Sequence, residues 1–273
     1  MSLSVLTNNS AMLALQSLNA TNKALESTNL RITTGLRVNG PKDDASTYAI
    51  AQNMRGDIAG MNAVKTALAN GSAMVNVALE AGESIAELLV ELKAKTVQGN
   101  QAGLDAASRT SLTNDFYALR DQIATIVATA EFNGTNLLEN GASGTTVLST
   151  VDGSSIAVSA QDMSPIYLQF GQAYANLDNS SNASQTLGLI DSAIVSVTNS
   201  LAALGSVARR IEVQSEFTMK LTDIQRAGVG NLVDADLAEE SAKLQAQQIQ
   251  QQLGVQALSI ANSTPQAILS LFS

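Results

Sequence analysis

The last thirty residues of the chain, 244–273, read LQAQQIQQQLGVQALSIANSTPQAILSLFS. They carry no charged side chain, although they are rich in Gln, Ser and Asn. Apolar residues recur here every three or four positions, which is the spacing of one side of an α-helix. The stretch therefore predicts a helix that pairs with other helices through two apolar stripes. The main stripe comprises Ala242, Ala246, Ile249, Leu253, Ala257 and Ile260, and its neighbour comprises Leu244, Val255 and Leu258.

The opposite end of the chain has the same character, because residues 1–22 carry no charge either. A coiled-coil-like seam runs along it, if Asn22 and Asn29 take two of the heptad positions. Polar residues on a seam lower stability but fix the register and the number of partners. Since uncharged helices with apolar stripes associate readily, we expect both ends to be built for a partner. The apolar positions of this seam are Ala11, Leu15, Leu18, Leu25, Ile32 and Leu36.

Composition argues against an enzyme. The 273 residues are 45% hydrophobic but only 3% aromatic, with no Trp, which favours slender helix pairs over a thick globular core. The chain has no Cys and no His, so it lacks thiolate nucleophiles, imidazole bases and most ligands of transition metals. We expect no catalysis, no cofactor and no metal, although carboxylate or Ser/Lys chemistry stays formally open.

Charge and hydropathy limit the partners. The formal net charge is -9 and the fifteen basic residues are scattered, which argues against nucleic-acid binding. We find no uninterrupted run of about 18 apolar residues and expect no membrane insertion. A basic segment followed by an apolar core is missing at the N-terminus, so we expect no cleavable secretory signal. A helix lying on a lipid surface is an alternative, but such helices carry Lys and Arg beside their apolar side, and these ends have almost none.

Breaks in the helical pattern divide the first half of the chain. A helix is predicted from about Leu3 to about Leu36, ended by Asn39, Gly40 and Pro41. Asp43 and Asp44 are placed to cap the next helix, predicted from Ala45 to about Gln98. Gly71 and Gly82 interrupt that helix and indicate bends or close packing. Its apolar side is Met54, Ile58, Met61, Leu68, Val75, Leu79, Ala86 and Leu89.

A returning helix and a hairpin follow. The next apolar spacing predicts a helix that ends at the turn Phe132-Asn133-Gly134. Two β-rich segments, 147–151 and 156–159, flank Asp152-Gly153 and predict a β-hairpin. The aromatic residues beyond it, Tyr167, Phe170 and Tyr174, are expected to pin the hairpin region to the helices. The apolar positions of the returning helix are Leu112, Phe116, Leu119, Ile123, Ile126 and Ala130.

The strongest periodic signal lies in the last third. A polar run, 178–184, is placed to cap a long helix whose seam continues with a shifted phase through Phe217, Leu221 and Ile224. Gly228 and Gly230 predict a second joint. The fold is therefore predicted to be mainly α, with coiled-coil-like rods made of a terminal helix pair and a three-helix middle bundle. The seam comprises Leu187, Ile190, Ile194, Val197, Leu201, Leu204, Ala208 and Ile211.

This organisation predicts two domains. Residues 1–43 and 235–273 form a terminal coiled-coil domain, and residues 44–234 form a helical middle domain with the β-hairpin near 140–170.

Several blocks resemble bacterial flagellin. Residues 34–39 (TGLRVN) and 42–45 (KDDA) are similar to two N-terminal motifs of that family, and residues 132–134 (FNG) to its Phe-Asn-Gly turn. Residues 234–240 (DADLAEE) resemble the family's Asp-Ala-Asp segment. Ala261, Asn262, Pro265, Gln266, Leu269 and Leu271 resemble its closing motif.

The resemblance implies a subunit that polymerises into the flagellar filament for swimming motility. The terminal domain would form the inner tube and the middle domain the outer tube. Only about fifty residues separate the Phe-Asn-Gly turn from the third long helix, so the resemblance implies a short form without outer variable domains. Self-assembly is then expected to rest on nine side chains: Leu15, Leu18, Leu25, Ile32, Ile249, Leu253, Ala257, Ile260 and Leu269.

The resemblance also implies partners and a location. It implies type III export through the flagellar apparatus with a chaperone, contacts with hook-associated and cap proteins, and an extracellular place in the filament. A hook-filament junction protein of the same axial family is the alternative, since it shares the paired ends. The joints between the two domains are expected at Leu36, Arg37, Asp43, Asp44, Asp234 and Asp236. The adjacent carboxylates of Asp43 and Asp44 are interpreted as helix caps and not as a metal or acid/base site.

Overall fold

A computed structural model describes the backbone of residues 8–172 and 175–269, and the side chains of these ranges as far as residue 263. Long helices dominate it, with two small antiparallel strand pairs, so the predicted mainly α fold is confirmed. The longest helix has 55 residues and therefore extends about 80 Å. The helices are α1 (Asn9–Thr34), α2 (Ala45–Gly99), α3 (Ala106–Thr129), α4 (Ser164–Gln169), α5 (Ser180–Val233) and α6 (Leu237–Leu269). The strands are β1 (Glu131–Phe132), β2 (Thr135–Asn136), β3 (Thr145–Leu148) and β4 (Ser155–Val158).

The chain forms two compact units. The first unit joins the N-terminal part of the chain up to Gly56 with the C-terminal part from Ile224 onward. The second unit is Asp57–Asp223. Helices α2 and α5 contribute to both units, because the two divisions fall within them.

In the first unit, α1 and α6 pair antiparallel. The side-chain amide of Asn8 donates to the carbonyl of Ala261 at 2.7 Å, and near the other end Arg31 lies 3.3 Å from Glu240. Between these points a carbon added to Gly254 would lie 3.2 Å from Leu18. The predicted pairing of the first helix with the last is therefore confirmed.

The seam of this pair differs from the predicted one. On α1, Leu15, Asn22 and Asn29 are exposed, and the less exposed positions are one residue earlier, at Ala14, Thr21 and Thr28. Thr28 is the only buried residue of α1. The side that faces α6 therefore shares Ala11, Leu18, Leu25 and Ile32 with the predicted seam. At the positions between them it differs, because a closely packed pair favours small residues over large apolar ones.

The side of α6 that faces α1 contains Leu244 and Leu258 of the neighbouring predicted stripe and no residue of the main stripe. The main predicted stripe, which includes Ile249 and Leu253, is exposed. The less exposed positions of α6 recur with heptad spacing, and several of them are polar, so an apolar stripe alone does not reveal them. They are Glu240, Leu244, Gln247, Gln251, Gly254, Leu258 and Ala261.

The second unit has a continuous apolar core built by α2, α3 and α5. Every second seam position of α5 is fully buried, and the positions between them are partly buried, as a coiled-coil-like bundle requires. Lys93 of α2 lies 2.7 Å from Asp191 of α5, while Met61 accepts a hydrogen bond from Thr222, so these two helices are antiparallel. The predicted three-helix bundle is confirmed. Its buried side chains include Leu68, Ile85, Leu89, Leu92, Phe116, Ile123, Ile190, Val197, Leu204 and Ile211.

Gly71 and Gly82 are sites of close packing, one of the two outcomes predicted for them. A Cβ at Gly71 would overlap the methyl groups of Val147 in β3. A Cβ at Gly82 would lie 2.8 Å from Leu201 of α5. Both contacts place a neighbouring side chain directly on the backbone of α2.

The predicted β-hairpin is present as β3 and β4, with Thr145 opposite Val158 and Leu148 opposite Ser155. The predicted bounds were wrong at the turn, since residues 149–154 form a six-residue loop in place of a two-residue Asp-Gly turn. The backbone N–H groups of Ser149 and Thr150 both donate to the carbonyl of Ser154, at 2.8 and 3.3 Å. These two hydrogen bonds hold the loop, and the strand pairing ends at Leu148 and Ser155.

A second strand pair surrounds Asn133-Gly134. Both residues have positive φ, 51° and 76°, which is the backbone of a type I′ hairpin turn. The sequence correctly predicted the turn but not β1 and β2, because two-residue strands leave no periodic signal.

Aromatic packing holds the region after the hairpin. Phe170, just beyond the short helix α4, is fully buried and meets Phe116 of α3 edge to face at 5.8 Å. The predicted pinning is therefore confirmed for Phe170. Tyr174 lies outside the described residues, and α4 itself was not predicted.

Helix α1 ends earlier than predicted. Its last residue is Thr34, and Gly35 follows with φ +71°, donating its N–H to the carbonyl of Arg31 at 2.9 Å. Glycine adopts this left-handed conformation without the steric penalty of a side chain, so the helix stops here and not at Leu36. The predicted start near Leu3 lies outside the described residues.

The second joint also differs. Helix α5 continues through Gly228 and Gly230 to Val233. A Cβ at Gly228 would lie 3.0 Å from Met54, so this glycine provides close packing and not a break. The shifted seam was wrong as well, since Phe217 and Ile224 are exposed.

Helix α5 passes a test of length and composition for a membrane span, with a mean hydropathy of 1.5 over 18 residues. This window contains no uninterrupted apolar run of that length, so the sequence did not predict it. The seam of α5 lies in the core of the second unit, and such core helices pass the same test. Core packing accounts for part of this apolar composition, since 22% of the window is buried.

Candidate assembly surface and joint

The joint of the first unit is a short antiparallel contact after α1 and α5. Leu36 pairs with Asp234 in an isolated β-bridge. The N–H groups of Arg37 and Val38 donate to the carbonyl of Val233 at 2.7 and 3.2 Å. The Arg37 guanidinium donates to the carbonyl of Leu232 at 2.6 Å, which satisfies an acceptor in the last turn of α5. The structure thus brings together Leu36, Arg37 and Asp234.

Asp43 and Asp44 have separate structural duties. The Asp43 carboxylate accepts the backbone N–H groups of Asn39 and Gly40 at 3.0 and 3.2 Å and so closes the turn before α2. Asp44 accepts the N–H groups of Ser46 and Thr47 at 3.0 and 3.1 Å, as an N-cap does. Hydrogen bonds from the hydroxyl and the backbone of Thr47 hold the pKa of Asp44 below its usual value.

Asp236 caps α6. Its carboxylate accepts the N–H groups of Ala238 and Glu239 at 2.9 and 3.2 Å. Asp43, Asp44 and Asp236 therefore hold backbone groups at helix starts or turns. Over the described ranges, no group of three or more His, Cys, Asp or Glu side chains is arranged to hold a metal ion.

Glu240 is a buried carboxylate within the 234–240 motif, and it was not among the predicted joint residues. It lies 3.3 Å from Arg31 of α1 and 3.1 Å from Lys243. Burial alone would raise the pKa of Glu240, but Lys243 and Arg31 together hold it below its usual value. Its signal in the sequence is the heptad spacing that places it on one side of the helix with Leu244 and Gln247. The ion pair joins the end of α1 to the start of α6.

Eight of the nine side chains predicted to carry self-assembly are described, and they fall into two groups. Leu18, Leu25 and Ile32 are half-buried on α1. Leu269 ends α6, and its side chain lies outside the described residues. The remaining five are exposed, and we name them the terminal surface: Leu15, Ile249, Leu253, Ala257 and Ile260.

The terminal surface exposes mainly large apolar side chains on the uncharged parts of α1 and α6. Leu253 is 58% exposed and Ile260 is 68% exposed. On α6 these residues lie about half a turn from Gln251 and Leu258, which are on the side that faces α1. The pairing with α1 therefore leaves them uncovered. Exposed apolar stripes of this kind mark interaction surfaces.

Comparison with known families identifies both halves of the chain. The model of the bacterial flagellin N-terminal helical region matches residues 5–143, and that of the bacterial flagellin C-terminal helical region matches residues 187–272. The intervening stretch holds β3, β4 and α4.

Similar proteins match over almost the whole chain. Flagellin FljK of Caulobacter vibrioides is 43% identical over 270 residues, which cover 98% of each chain. Flagellin C of Rhizobium meliloti is 33% identical over 320 residues, covering 98% of this chain and 99% of its own.

Two solved structures share the fold. Bacillus cereus flagellin has a TM-score of 0.51 at 21% identity, covering 55% of this chain and 86% of its own. A putative flagellar hook-associated protein from Vibrio parahaemolyticus has a TM-score of 0.58 at 14% identity, covering 70% of this chain and 100% of its own.

Proposed function

Because this chain belongs to the bacterial flagellin family, whose members build the extracellular flagellar filament, we propose that α1 and α6 form the inner tube of that filament. The chain is a structural subunit for motility and not an enzyme. In the proposal, residues 1–43 and 235–273 are the inner domain and residues 44–234 are the outer one.

The observation that carries this proposal is the terminal surface. Its apolar side chains are exposed although α1 and α6 are already paired, so a single chain leaves their burial incomplete. Neighbouring copies that bury these side chains would gain about 25 cal/mol for each Å² of apolar surface removed from water. The absence of charge on this part of α6 removes the desolvation penalty that an ionised side chain would add.

Polymerisation of the purified protein tests the proposal. Short filament seeds are added to monomer, and the product is separated by sedimentation and viewed by electron microscopy. We expect filaments with α1 and α6 at the smallest radius in a reconstruction. An inner tube formed by residues of the second unit would overturn the assignment.

The hook-filament junction protein is the second candidate, and the fold shared with the Vibrio protein supports it. The flagellin relatives at 43% identity favour the filament subunit. The two differ in the product, since a junction protein forms a ring of few copies and a filament subunit grows without limit.

Flagellin family membership supports export through the flagellar apparatus, and the exposed apolar side of α6 supports masking before delivery. We propose that the chain leaves the cell through the flagellar type III apparatus without cleavage, and that a chaperone covers the apolar side of α6 until delivery. An uncovered apolar stripe would associate with other copies before delivery, and this supports a chaperone that covers it. The mass of the secreted protein tests uncleaved export, because removal of about twenty residues would indicate ordinary signal processing. Contacts with hook-associated and cap proteins are proposed at the filament ends.

A further inference from the structure

We propose that the outer side of α2 binds the outer side of α5 of a second copy, through two stripes with matched spacing and opposite charge. The inference rests on the proposed filament and adds a contact between the second units of two copies. It names which residues of the two copies meet.

The first stripe lies on α2. Glu83, Val90 and Val97 follow one another at seven-residue steps, so they lie on one side of the helix. All three are exposed, and Val90 is 61% exposed. Glu87 lies beside Glu83 and is exposed as well. The stripe therefore changes from acidic to apolar along the direction of the chain.

The second stripe lies on α5 with the same step. Val195, Ala202 and Arg209 are spaced by seven residues and all are exposed, with Val195 at 59%. Arg210 adds a second positive charge next to Arg209. This stripe changes from apolar to basic along the chain. Fourteen residues separate its first and last members, as they do in the α2 stripe, and this distance is about 21 Å on a helix.

The charges at the ends of both stripes form no ion pair within the described part of the chain. Over the described residues, no ion pair involves Glu83, Glu87, Arg209 or Arg210, while Lys93, Lys95, Arg120 and Lys220 each have one. The net charge of -9 makes copies repel one another, and contacts that join opposite charges would offset this repulsion in a polymer.

The relative direction of α2 and α5 determines which residues of the two stripes lie opposite each other. Within one copy α2 and α5 are antiparallel, and all copies in a polar filament share one orientation. Helix α2 of one copy is therefore also antiparallel to α5 of the next. In that direction Val97 lies opposite Val195, Val90 opposite Ala202, and Glu83 opposite Arg209. Apolar residues meet apolar residues, and carboxylates meet guanidinium groups, in a single register.

Charge reversal tests the charged end. We compare wild type, Glu83→Arg/Glu87→Arg, Arg209→Glu/Arg210→Glu and the combination of all four changes, measuring the critical concentration for seeded filament growth. Each double variant is expected to raise it at least about tenfold, because like charges then face each other. The combined variant is expected to return to within about threefold of wild type. Glu131→Arg/Glu139→Arg is the control for Glu83→Arg/Glu87→Arg, since it makes the same charge change at exposed positions outside both stripes.

Folding is checked by the helical circular dichroism and melting of each monomer, and only variants that match wild type are scored. Double variants that polymerise like wild type, or a combined variant that stays impaired, would overturn the inference. Failure of wild type itself to form filaments would instead refute the proposed function, so the two failures are distinguishable.

Cysteine pairs test the register. The natural chain has no cysteine, so introduced thiols react only with each other. Val97→Cys with Val195→Cys is expected to give disulfide-linked ladders when filaments are oxidised, because opposed residues fall within the Cα separation that a disulfide needs. Val90→Cys with Val195→Cys is the control and is expected to give none, since it is displaced by seven residues, about 10 Å. Equal ladders from both pairs, or ladders from the control alone, would overturn the register.

Discussion

Leu253 offers the sharpest test of the terminal surface. It is 58% exposed in the single chain, so an aspartate there stays hydrated and is expected to change monomer stability by no more than about 0.5 kcal/mol. In a filament that buries this position, the same charge loses its water without gaining a partner, which costs several kcal/mol. Leu253→Asp is therefore expected to leave the monomer intact and to prevent growth.

The magnitude follows from the cost per added copy. A penalty of about 3 kcal/mol raises the critical concentration roughly 100-fold, since each 1.4 kcal/mol corresponds to a factor of ten. The assay sediments polymer grown from wild-type seeds over a range of concentrations. Leu253→Met, which nearly preserves volume and polarity, is the control and is expected to grow normally.

A buried residue supplies the contrast. Leu204 is fully buried in the core of the second unit, so Leu204→Asp is expected to unfold the monomer itself. The reasoning fails if Leu253→Asp keeps the wild-type critical concentration. It also fails if Leu253→Asp lowers the monomer melting temperature as much as Leu204→Asp does.

Three further outcomes are expected. Limited proteolysis of monomer should cleave α1 and α6 before the second unit, because the described part of their pairing buries little besides Thr28 and Glu240. In filaments both helices should be protected from the protease. The expectation is contradicted if α1 and α6 of the monomer resist the protease as well as the second unit does. Gly71→Ala should destabilise the monomer by about 1–3 kcal/mol in thermal unfolding through its overlap with Val147, and adding Val147→Ala should recover much of the loss. The pKa of Glu240 is lowered in the folded chain, so its ionised form stabilises the fold above the ordinary glutamate value of 4.5. This contribution is lost as the pH falls through the lower pKa of the folded state. In an acid titration followed by circular dichroism, the stability of Glu240→Gln should therefore depend less on pH below 4.5 than that of wild type.

Periodicity predicted the second unit well. The seam of α5 was correct at Ile190, Val197, Leu204 and Ile211 because large apolar residues occupy every one of those positions. Each of them gains from burial, so the pattern and the packing agree. The turn at Asn133-Gly134 was equally predictable, since few residues other than Asn and Gly adopt positive φ at low cost.

The helix ends depended on local geometry that a sequence pattern only partly records. The sequence contains Gly35, but the apolar spacing continued to Leu36 and hid the stop. Gly228 and Gly230 resemble breaks, yet α5 continues through both. A glycine either ends a helix or admits a close neighbour, and Met54 beside Gly228 is a contact from a distant part of the chain.

The sequence by itself determined that the two ends are uncharged amphipathic helices, because charge and apolar spacing are properties of the chain alone. Only the tertiary structure decided which side of each end faces its partner. On α1, Ala14, Thr21 and Thr28 replace the larger or more polar neighbours Leu15, Asn22 and Asn29. Closely paired helices select small side chains where their backbones approach, and this leaves Leu15 and Leu253 on the outside. Burial depends on the distance to another helix, and the apolar pattern of one helix does not contain that distance.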